Sequence, residues 1–121
     1  MDILYRIPCT IEHIPDGYAP AYILTLSRAD LPRLLSLVER IKDGSYKGVE
    51  LAETDKKVCR ICCQDGLLTF VFADVTMRLN ENDDEVFRLF LVDMTADVPR
   101  YDHIDLEIRD VGIDLTVRVE R

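Results

Sequence analysis

The chain has 121 residues, 48% of them hydrophobic and 31% charged. That balance describes a folded domain rather than a disordered tract, and the length suits one domain, residues 1–121, better than two. Acids outnumber bases by 23 to 15, a net charge of −8, which excludes a surface built to neutralise phosphate: neither direct nucleic-acid binding nor attachment to an anionic membrane is expected.

The charge is unevenly placed. Residues 1–63 carry nine acids and nine bases, whereas residues 64–121 carry fourteen acids against six bases and no lysine follows Lys57. No apolar run approaches the roughly 20 residues of a bilayer span. The start, Met1-Asp2-Ile3-Leu4-Tyr5-Arg6, lacks the basic and long apolar regions of a signal peptide. A cytoplasmic location is therefore the expectation.

Ile3, Tyr5 and Ile7 alternate with Leu4 and Arg6 until Pro8, the pattern of a strand. After a turn at Pro15-Asp16-Gly17, a second strand carries Tyr22, Leu24 and Leu26. The spacing of Leu31, Leu34, Leu35, Val38 and Ile41 predicts a helix from Arg28 to Asp43, with Ser27 as N-cap and Gly44 just past its end. Pro32 falls in the first turn, where its missing N–H costs little.

Strands are predicted over 49–52, 58–64, 67–79, 85–93, 103–109 and 113–120, and no second helix. A two-residue Asp65-Gly66 turn would set Ile61 opposite Phe70 and Cys63 opposite Leu68, giving one apolar face. The 67–79 segment changes phase between Phe72 and Val75, which a bulge at Ala73-Asp74 would absorb. Residues 86–92 are apolar at nearly every position, so they read as a central strand covered on both faces. A two-residue Val111-Gly112 turn would pair Arg109 with Asp114, Asp105 with Arg118 and His103 with Glu120. The expected fold is α+β: a single helix packed on, or wrapped by, an antiparallel meander sheet of about seven or eight strands.

No motif assigns a catalytic, cofactor or metal site. Cys59, Cys62 and Cys63 form C-x-x-C-C, but on a strand Cys59 and Cys62 point to opposite faces and Cys59 lies about 13 Å from Cys63. Core cysteines are expected, with Cys62 the most accessible. The acidic run at Glu81, Asp83, Asp84 and Glu85 lacks the glycine and helical flanks of a calcium loop and reads as a solvated hairpin tip. Asp97, Arg100, Tyr101 and Asp102, beside His103, make a polar loop. With Glu107, which the expected hairpin leaves unanswered, these acids and loop residues are the candidate partner-binding positions.

The function expected is a small protein-binding module of inhibitor, immunity or adaptor type, blocking a basic partner by steric and electrostatic means. Its partner would be a protein, and no cofactor is implied. The alternatives are an oligomeric assembly subunit joined through a sheet edge, or a small helix-in-sheet ligand-binding domain or enzyme resembling hotdog or cystatin-like folds in outline only.

Overall fold

In the computed structural model, residues 5–15, 20–96 and 102–120 are described. Strand β1 (Tyr5–Ile14) and strand β2 (Ala21–Ser27) lead into helix α1 (Leu31–Lys42). Strands β3 (Val49–Thr54), β4 (Lys57–Gln64), β5 (Leu67–Val71) and β6 (Thr76–Arg78) follow. Helix α2 (Glu81–Met94) comes next, and β7 (His103–Ile108) and β8 (Ile113–Glu120) complete the order. The strands form one nearly closed, barrel-like sheet in the order β6-β5-β4-β3-β1-β2-β8-β7.

The sheet is mixed, not an antiparallel meander. β1 runs parallel to β3, and β2 runs parallel to β8. β1 does not stop at Pro8. Its first half, Tyr5–Pro8, pairs with β3, and its second half, Cys9–Ile14, pairs with β2. Pro8, which has no N–H to give a ladder, sits where one partner is exchanged for the other. This change of partner bends the sheet around its core.

α1 forms where its apolar spacing predicts, with Leu31, Leu34, Leu37, Val38 and Ile41 buried and Leu35 partly buried. Ser27 precedes a 3-10 turn, Arg28–Asp30, and makes no side-chain capping bond. Gly44 closes the helix at φ +87°, the left-handed conformation that glycine adopts without strain.

The expected strand at 85–93 is instead most of α2, so the protein has a second helix among its described residues. Asp84, Phe87, Phe90, Leu91 and Met94 are buried at helical intervals. Asn80 caps the helix, its side-chain oxygen accepting the Asp83 N–H at 2.7 Å. Glu81, Asp83 and Asp84 occupy the first turn, where carboxylates suit the helix dipole. The expected acidic hairpin tip is therefore a helix start. Val86, Leu89 and Val92 lie on the outer side, 37%, 58% and 50% exposed. These three blurred the helical pattern and made the segment look apolar on both strand parities.

The Asp65-Gly66 turn is as expected, with both residues at positive φ and Ile61 opposite Phe70. The phase change at 72–75 is not a bulge. β5 and β6 form a further hairpin there, Phe70 facing Met77, closed by the Phe72 N–H donating to the Val75 carbonyl at 2.8 Å.

The last hairpin differs from its expected register by two residues. Its loop has four residues, Arg109–Gly112, closed by the Val111 and Gly112 N–H groups on the Ile108 carbonyl. His103 now faces Arg118, Asp105 faces Thr116, and Glu107 faces Asp114. A shift of two preserves which face each side chain occupies, so the burial pattern survives while the three expected charge pairs do not form.

One hydrophobic cluster runs from Ile7 through Leu24, Phe70 and Phe87 to Val117. No helix among the described residues is long and apolar enough to cross a membrane.

Candidate functional site

The sheet begins at β6 and ends at β7, and a seam remains between these two ends. A cleft of about 510 Å³ occupies it. One wall is β7 and its following turn, continuous from Asp105 to Asp110; the other is Arg78 at the end of β6 with Asn82 and Asp83 at the start of α2. Two regions far apart in sequence, the first turn of α2 and the edge of β7, thereby meet.

Four carboxylates line this cleft: Asp83, Asp105, Glu107 and Asp110. Its two bases are Arg78, held by Asp65 at 2.9 Å, and Arg109. Asp105 Oδ1 accepts the Thr116 hydroxyl at 2.6 Å. Glu107 stands across the ladder from Asp114, and neither carboxylate has an ion-pair partner among the described residues. Like charges placed directly opposite each other destabilise a sheet, so this local cost is unrelieved within the described fold.

The expected positions separate into four groups. Asp83 and Glu107 come together in the cleft. Glu81 and Glu85 are exposed on α2 nearby, and Asp102 is exposed just before β7, 2.9 Å from His103 Nδ1. Asp84 is the exception: it is 3% exposed, and its carboxylate binds Leu68 N–H and Lys42 Nζ inside the fold. A side chain so enclosed offers nothing to a partner. Asp97, Arg100 and Tyr101 lie outside the described residues. Asp105 and Asp110 were missed, because the expected hairpin register gave Asp105 to Arg118 and put Asp110 beside a tighter turn.

The outer side of α2 continues the same surface. On a helix, residues three and four apart are neighbours. Val86 therefore follows Asn82 and Asp83, and Leu89 and Val92 follow Val86. An exposed apolar ridge thus runs away from the cleft.

The four cysteines are free thiols. Cys9 and Cys59 are buried, and Cys62 and Cys63 are half-buried on β4. Burial pushes the Cys9 thiol up to about 12 and raises Cys59 well above its usual range. No group of three or more His, Cys, Asp or Glu with metal-binding geometry occurs among the described residues.

A smaller cavity of about 300 Å³ lies at another part of the sheet, beside His13, Tyr22 and Phe72. His13 and Phe72 stack on Tyr22 with ring centroids 4.2 and 3.9 Å away. The Tyr22 hydroxyl donates to Asp74. Burial and this bond raise its pKa to about 12. The stack is best accounted for as packing at the corner between β1, β2 and the β5–β6 turn. No family model, curated protein or solved structure matches the chain.

Proposed function

We propose that the protein is a small binding module that captures a basic protein partner on the surface formed by the β6–β7 seam and the outer side of α2. The observation that carries this reading is the meeting of Asp83 with Asp105, Glu107 and Asp110 in one cleft, next to the exposed ridge of Val86, Leu89 and Val92. Apolar contacts would supply the desolvated centre of the interface, and the carboxylates its charged rim. The cleft's excess of negative charge, four carboxylates against two arginines, would speed encounter with an opposite charge. Binding would act by occlusion, with no chemical step.

The unrelieved opposition of Glu107 and Asp114 supports the same reading. A fold selected for stability alone gains nothing from it, whereas an arriving lysine or arginine would relieve it. Affinity capture from host extract, repeated over a range of salt, tests the proposal. The expected result is a basic protein retained at low salt and released as salt rises. Retention of acidic partners, or retention indifferent to salt, would overturn it.

A further inference from the structure

The hydrogen-bond phase of the last hairpin identifies which backbone groups the seam exposes. The Val119 N–H donates to the Asp102 carbonyl at 2.8 Å. These two residues continue the register in which Ile104 faces Val117 and Leu106 faces Leu115. Bonded and non-bonded pairs alternate along an antiparallel ladder. Ile104, Leu106 and Ile108 therefore turn their N–H and C=O groups toward β8, while Asp105 and Glu107 turn theirs away. β7 is the last strand of the sheet, so no described strand pairs with that outer edge, and the edge lies along the cleft wall.

We infer that β7 takes an extended basic segment of the partner as an additional strand, which fills the seam between the two ends of the sheet. This rests on the reading of the seam as a partner-binding surface and specifies how the partner is held. The strand part of the cleft wall, Asp105 to Ile108, would accommodate about 13 Å of extended chain. Main-chain bonds from Asp105 and Glu107 would give affinity, and the side chains beside them specificity. Asp105 and Glu107 are exposed while Leu106 and Ile108 are buried, so the segment should alternate basic with apolar residues to match. A second copy of this chain is the poorer occupant. Pairing β7 with another β7 would set Asp105 and Glu107 against carboxylates of the same strand, between two chains each of net charge −8.

The test uses the intact protein and a capped peptide of alternating lysine and valine. A second peptide of the same sequence is N-methylated on its lysines, which removes the donors along the edge facing β7, and a third on its valines, which removes those along the outer edge. The parent peptide should bind, protect the Asp105 and Glu107 amides from exchange, and bind about tenfold more tightly than the lysine-methylated peptide, as expected for losing one or two hydrogen bonds, while the valine-methylated peptide loses little. Glu107→Pro should weaken binding similarly. Its missing N–H faces away from β8, so the β7–β8 ladder keeps its bonds. The methylated peptides test the same bonds without altering the protein. Equal binding by the parent and the lysine-methylated peptide, or no binding by the parent, overturns the inference. If it fails while capture of the native partner still depends on Glu107 and Asp110, the partner-binding reading stands. If capture is independent of both, that reading fails as well.

Discussion

Asp84 Oδ1 accepts the Leu68 backbone N–H at 2.8 Å and so ties the start of α2 to the start of β5. Its other oxygen takes Lys42 Nζ of α1 at 2.9 Å. Arg88 Nε lies 3.4 Å away without hydrogen-bond alignment. One carboxylate thus holds two helices and a strand together behind the cleft.

Removing Asp84 should be among the more damaging single changes. Asp84→Ala leaves the Leu68 N–H unsatisfied and the half-enclosed Lys42 ammonium with only the Gly66 carbonyl to accept from it, a loss of about 2–4 kcal/mol. Lys42→Met should cost less, because Asp84 keeps its bond to Leu68. Urea denaturation of both variants checks this order; equal small losses would show that the network contributes little.

Glu107→Lys should stabilise the isolated protein. It replaces a like-charge pair across the ladder with an attractive one facing Asp114, a gain of about 0.2–1 kcal/mol. Thermal or urea denaturation would show it, and a fall in stability would contradict the placement of these two carboxylates.

Leu89→Asp should leave folding stability within about 0.5 kcal/mol, because Leu89 is a surface residue, 58% exposed. It should weaken partner capture markedly. A variant that folds normally and captures the partner as well as the original would remove the α2 ridge from the interface.

Stability should fall as pH rises through the alkaline range. Cys9 is raised from 9.0 to about 12 and Tyr22 from 10.0 to about 12. Between each pair of values the unfolded chain has lost a proton that the folded chain keeps. The folded state is therefore favoured fully below about pH 9 and progressively less toward pH 12. Urea midpoints measured from pH 8 to 11 should decline, and less steeply in Tyr22→Phe. A flat profile would contradict the enclosed setting of both groups.

Thiol labelling at pH 8 should divide the cysteines. Cys62 and Cys63 are half-buried and should react in the folded protein, whereas Cys9 and Cys59 are buried and should wait for unfolding. A single rate for all four thiols would contradict this arrangement.

Much of the fold is legible in the residues. α1 follows from its leucine spacing, and the β4–β5 register follows from Asp65-Gly66. Local rules misread α2, because Val86, Leu89 and Val92 break the polar face that a helix usually shows to water. The same three residues now mark the candidate interface, so the misleading pattern and the candidate site coincide. The parallel pairings of β1 with β3 and β2 with β8 join segments distant in sequence and leave no local signal. Within the site, the acids of α2 and of β7 could be picked out singly, but their convergence depends on how the sheet curls. Asp105 and Asp110 were hidden by a turn of four residues where two were expected.

The most direct measurement is the partner's affinity for three proteins: the original, Glu107→Lys/Asp110→Lys in the cleft, and Glu12→Lys/Glu39→Lys at exposed acids that do not line it. Both variants change the net charge equally. The account predicts that the cleft variant binds at least about tenfold more weakly, while the control loses little and both remain folded. Equal losses in the two variants, or full affinity in the cleft variant, would contradict it.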